Sequence, residues 1–99
     1  MKTTLSMGSS VVVSKDQVSS DLGSDVAILH LKAGVYYGLD AVGARVWRLL
    51  QEPRTVGEVR DVLTSEYEVE PDRCARDLIA LLHGLADEGL IEASDGTSA

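Results

Sequence analysis

The sequence predicts a small α+β domain in which three short strands precede three helices. Two observations carry that expectation. Up to Leu39 the apolar residues fall in short β-branched runs bounded by Ser, Asp and Gly; from Asp40 onward they recur at helical spacing. Length adds a bound, because 99 residues is one domain's worth of chain and supports a single modest core.

The first strand is the VVV run at 11–13, after a segment 1–10 expected to be flexible. The turn-rich pieces SKDQ and SSDLGSD lead to VAILHL at 26–31, and VYYGL at 35–39 follows. Lys32-Ala33-Gly34 is short enough for a hairpin, with Gly34 supplying the positive φ such loops often need. The expected product is a three-stranded antiparallel sheet.

Asp40 can cap a helix through AVGARVWRLLQ, in which Val42, Val46, Trp47, Leu49 and Leu50 form the apolar face. Pro53 stops it. Thr55-Val56-Gly57-Glu58 has the form of a capping box, so a second helix should run to about Glu66 and bury Val59, Val62 and Leu63. Pro71 suits the first turn of a third helix that continues to Glu88 and ends at Gly89. Leu90-Ile91-Glu92 form a short extended piece, and 93–99 are expected to be a disordered tail. The folded domain then covers 11–92, in an arrangement related to winged helix-turn-helix proteins.

Composition narrows the function. With no Phe and one Trp, the core must be built from Val, Leu, Ile and Ala around Trp47. A formal charge of -7 and a pI near 4.6 oppose nucleic acid as partner, because such binding draws on Lys and Arg contacts to phosphate. The same charge opposes an anionic membrane. A lone Cys74 cannot form an internal disulfide, which suits a reducing, cytoplasmic setting. No secretion signal or apolar run of about 20 residues is present.

No catalytic or metal constellation can be assembled. The acids are interspersed with Lys and Arg, and His30 and His83 lack metal-ligand spacing. Cys74 and His83 would lie about 13 Å apart along one helix, beyond the reach of general-base activation. Cys74 is expected to be a small buried apolar residue. An enzyme, a metal site and a cofactor are therefore not expected.

Two features suggest binding. On a helical wheel Cys74, Leu78, Leu81 and Leu85 share one face of the third helix, and Ala75, Ile79, Leu82 and Ala86 an adjacent one. Either both faces are core, or the second lines a groove. In the third strand Tyr36 and Tyr37 point to opposite faces. If that strand is a sheet edge, its free N–H and C=O groups can accept an extended peptide, and Gly38 would ease its approach.

The ordered set GVYYGLDAVGARVWRLLQ, TVGEVRDVL and DLIALLHGLADEGLIE resembles the PqqD-like family of peptide recognition elements, over about 11–92. The family serves the biosynthesis of ribosomally synthesised, post-translationally modified peptides. The resemblance implies that a precursor's leader adds as a strand to the third strand, with apolar side chains in a groove against the third helix. Carried over, Val35, Tyr36, Tyr37 and Gly38 form the docking edge. Ala75, Ile79 and Leu82 form the wall, with Arg76, Asp77 and His83 as polar neighbours. Among free-standing members, the sequence is most similar to leader-binding proteins of lasso-peptide pathways. There the leader offers a Tyr and a Pro, and a cysteine-protease-like leader peptidase cuts it. The alternatives are a pyrroloquinoline quinone type serving a radical-SAM enzyme, a winged-helix DNA-binding regulator, or an interaction domain for another protein's strand. Helix three opposes the regulator, since Arg73 and Arg76 are offset by Asp72, Asp77, Asp87 and Glu88.

Overall fold

The structure, a computed structural model, describes residues 5–94. It is α+β, with the strands divided between two three-stranded antiparallel sheets. The first has β1 (Ser10–Val13) at its centre, flanked by β5 (Arg54–Thr55) and β6 (Ile91–Ser94). The second has β2 (Gln17–Leu22), β3 (Asp25–His30) and β4 (Val35–Leu39) in that order. The helices are α1 (Ala41–Leu49), α2 (Val56–Glu66) and α3 (Pro71–Asp87).

This corrects the expected single sheet. The VVV strand does not join the hairpin; Val11 pairs with Arg54 on one side and Ala93 on the other. Its place beside β3 is taken by β2, whose sequence QVSSDL looked like a turn. β2 is polar because it is an outer strand exposed along most of its length, so it needs little apolar content. The winged-helix label accordingly fits only loosely.

The helices begin where local chemistry dictates. Asp40 accepts a hydrogen bond from Gly43 N–H at 3.0 Å. The capping box is complete: Thr55 Oγ1 accepts from Glu58 N–H at 3.1 Å, and Glu58 Oε1 accepts from Thr55 N–H at 2.8 Å. These bonds hold the Glu58 carboxyl below its usual pKa. Pro71 opens α3 without a side-chain cap. Gly89, at φ 73°, turns the chain out of α3 into β6.

The core gathers one side of every layer: Val11 and Ile91 from the first sheet, Val26 and Ile28 from the second, and Trp47, Leu50, Val59 and Leu82 from the helices. Trp47 is fully buried, and its indole N–H donates to Ser19 Oγ at 3.2 Å, tying α1 to β2. The expected flexible start does not extend across 5–10. Leu5 and Ser9 are buried, and Gly57 N–H donates to Met7 C=O at 2.9 Å. The expected disordered tail does not include Ala93 and Ser94, which pair with β1; residues 95–99 lie outside the described region.

Candidate functional site

β4 is an edge. It pairs with β3 from Val26–Leu39 to His30–Val35, and among the described residues no strand covers its other side. Strand alternation sends Tyr37 inward beside Ile28 and leaves Tyr36 outward beside Leu29. Tyr36 is 72% exposed, whereas Tyr37 is half-buried against the core.

Tyr37 reaches α3. Its hydroxyl donates to Glu88 Oε2 at 2.7 Å, at the C-terminal cap of that helix. The bond to Glu88 raises the phenol pKa, with desolvation and the nearby negative charge acting in the same direction. At the other end, just past Leu39, α1, α2 and α3 enclose a cavity of about 240 Å³. Val42 and Val46 come from α1, Leu63 from α2, and Tyr67 and Val69 from the connection to α3. Cys74, Asp77, Leu78 and Leu81 complete it from α3. The walls are almost wholly apolar.

These contacts show which flank of α3 faces the cavity and β4. Asp77 and Leu81 line the cavity and Glu88 meets β4; at 100° per residue they fall on one stripe, together with Gly84. Asp77 and Glu88 lie about 16 Å apart along the helix axis, comparable to the length of a five-residue strand. Gly84 sits between them in open space, with nothing within 4 Å of where a Cβ would stand. A glycine inside an exposed helix costs about 1 kcal/mol relative to Ala, and here it leaves the groove unobstructed.

The structure places the wall residues expected from the sequence elsewhere on α3. Ala75, Ile79 and Ala86 lie more than a quarter turn round α3 from the Asp77–Leu81–Glu88 stripe, and they are only partly exposed. Leu82 is fully buried and belongs to the core. Arg76 is exposed and His83 half-buried, both also turned from that stripe. Of the expected residues, the structure brings together the β4 backbone at Val35, Tyr36, Tyr37 and Gly38, the Tyr37 side chain, and Asp77. Val42, Leu81, Tyr67 and Gly84 were not singled out as site residues. The half-exposed Val42, one turn from an edge strand, was the available signal for the cavity.

Cys74 is buried, and desolvation raises its thiol pKa, with the Asp77 charge adding to the effect. It serves as apolar lining in its neutral form. Among the described residues no group of three or more His, Cys, Asp or Glu is placed to hold a metal ion. No helix of the described residues is long and apolar enough to cross a membrane.

An edge strand beside a helix-walled apolar groove defines a peptide-binding class of protein. Residues 25–91 match the family described as coenzyme PQQ synthesis protein D (PqqD), and the chain belongs to that family. It is similar to a PqqA binding protein of Bradyrhizobium diazoefficiens (strain JCM 10833 / BCRC 13528 / IAM 13628 / NBRC 14792 / USDA 110), 38% identical over 60 residues. That match spans 60% of this chain and 58% of the relative's length. The solved structure of TbiB1 in complex with the TbiA(beta) leader peptide is 41% identical, with a TM-score of 0.79, over 82% of this chain and 94% of that one. A lasso peptide synthetase B1 complexed with its leader peptide is 26% identical, with a TM-score of 0.75, over 83% and 96%.

Proposed function

We propose that the chain is a non-catalytic adaptor that binds the leader of a ribosomally synthesised precursor peptide, of the lasso class, by strand addition to β4. The observation that carries this reading is the β4 edge, which no strand covers among the described residues, together with the apolar cavity of about 240 Å³ between the helices. The likeness to two proteins solved with leader peptides supports it. Backbone hydrogen bonds along β4 supply affinity with little sequence demand, and the cavity supplies selectivity. An antiparallel leader strand would start at the Leu39 end, so its upstream residues lie nearest the cavity. The apolar walls suit an aromatic or aliphatic side chain of the leader.

The held leader is then presented to a cysteine-protease-like leader peptidase, in the cytoplasm. The likeness to a PqqA binding protein favours a second reading, in which the leader belongs to a PqqA-type precursor and the client enzyme is a radical-SAM protein. A fluorescence titration separates the two. Saturable micromolar binding, about -8 kcal/mol, is expected for a lasso-type leader carrying Tyr and Pro, and neither for its scrambled version nor for duplex DNA. Preference for a PqqA-type leader would select the second reading, and binding to neither leader would sink both.

A further inference from the structure

We infer that the ion pair of Arg45 and Glu66 is a selectivity clamp: it fixes the width of the helix-walled cavity and so decides which leader side chain enters. The inference rests on the adaptor reading above. The cavity lies between two layers of the molecule. α1 belongs with the second sheet: it packs on β3 and β4, and its Trp47 and Arg48 donate to Ser19 and Asp21 of β2. α2 packs instead on α3. The separation of the layers sets the width of the cavity, and Arg45 of α1 bridges it to Glu66 at the end of α2. Arg45 Nε donates to Glu66 Oε1 at 2.9 Å and Nη2 to Oε2 at 2.7 Å, the paired bonds of a bidentate contact.

Both ends of the bridge sit beside the cavity lining. Arg45 precedes Val46 on α1, and Glu66 precedes Tyr67, the residue that caps α2. The bond to Glu66 raises the Arg45 pKa and the Tyr67 phenol adds to the rise, so that ring stands within electrostatic reach of the guanidinium. The two side chains are 35% and 39% exposed. An ion pair so open to water adds little to folding stability, whereas its two-bond geometry holds both distance and angle. Its value is therefore geometric. A cavity of about 240 Å³ falls below the roughly 300 Å³ at which small-molecule sites begin, so it suits a single side chain. In an apolar space of that size a misfit of one or two carbons changes affinity about tenfold, provided the walls do not yield. The clamp supplies that rigidity. Without it α1 is free to move from Tyr67, and anchors of different size become equivalent.

The test titrates the full chain with three fluorescent lasso-type leaders, carrying Tyr, Trp or Ala at the position of the leader's Tyr. The native chain should bind the Tyr leader about tenfold more tightly than either of the others. Arg45→Met and Glu66→Ala each break the pair. The Tyr leader should then lose about fivefold in affinity, while the Ala leader, held by strand addition alone, stays within about twofold. The exchanged pair, Arg45→Glu with Glu66→Arg, should restore the preference, a rescue that a merely weakened fold would not give. Unchanged preference in both single variants, or equal losses on all three leaders, overturns the clamp and leaves the adaptor reading standing. A native chain indifferent to the anchor residue overturns the clamp as well. A native chain that binds no leader overturns the adaptor reading instead. Circular dichroism checks folding, and Glu66→Ala keeps the test decisive if Arg45→Met unfolds.

Discussion

The two sheets are of equal strand number and opposite character. In the first, β1 is enclosed by β5 and β6, and Val11 is 1% exposed. That sheet joins residues near both ends of the described chain, with Ser14 N–H donating to Leu90 C=O at 2.9 Å as a further tie. In the second, no strand covers either outer strand among the described residues, and Val18, Leu22, Val35 and Tyr36 are all exposed. The contrast separates two tasks that one small core must support. The first sheet closes the fold; the second holds a surface in reserve. An open edge is an aggregation hazard, tolerated where a partner is meant to pair with it.

The sharpest test of that contrast compares two valines. Val11→Ser should destabilise by about 3 kcal/mol, because it removes buried apolar surface and inserts a hydroxyl into the core. Val18→Ser, at 53% exposure, should cost no more than about 0.5 kcal/mol. Urea midpoints check both, and equal losses would erase the distinction between the sheets.

Next in size are changes on the groove stripe. Gly84→Trp should fill the open space and weaken leader binding by about tenfold or more, at a cost of roughly 2 kcal/mol in binding, without loss of helix. Gly84→Ala should stabilise the chain by up to about 1 kcal/mol in thermal melts. A bulky residue that leaves affinity intact would place the leader elsewhere.

Leu81→Ser and Ile79→Ser together test which flank of α3 matters. Leu81→Ser should weaken leader binding about fivefold, and Ile79→Ser should leave it within about twofold, as measured by titration. The reverse ranking would restore the wall inferred from the helical wheel.

The smallest effects belong to the caps. Thr55→Ala should cost about 1 kcal/mol of stability. The folded pKa of Glu58 is lowered, so its contribution is complete above the unfolded carboxylate value and is lost as pH falls through the folded one. Urea midpoints between pH 6 and about 3 should therefore fall less steeply in Glu58→Gln than in the native chain, and identical slopes would deny the capping carboxylate a role.

Much of the local structure was legible in the sequence. Asp40, the Thr55–Glu58 box, Pro71 and Gly89 marked helix ends, and all four act within a few residues of themselves. The hairpin of β3 and β4 was readable for the same reason: its apolar runs meet across a four-residue link closed by Gly34, at φ 68°. β2 was missed because an exposed edge strand carries no apolar signature. β5 was missed because two residues, Arg54 and Thr55, have no periodicity.

The site divided in the same way. Alternation alone put Tyr36 and Tyr37 on opposite faces, and the structure agrees. The wheel found two apolar flanks on α3 but could not say which one borders β4, since a helix has no knowledge of its neighbours. That choice depends on Tyr37 meeting Glu88 and on Val42 and Leu81 lining one cavity, a juxtaposition of elements far apart in sequence. Sequence by itself determined the three helices, the β3–β4 hairpin, the caps, the acidic charge and the family resemblance, because each is written in adjacent residues or in composition. Only the tertiary structure decided how the strands divide into two sheets, which flank of α3 lines the groove, and where the cavity opens. Those are set by non-local packing, in which Leu82 is fully buried on one side of a helix and Leu81 only half-buried on another.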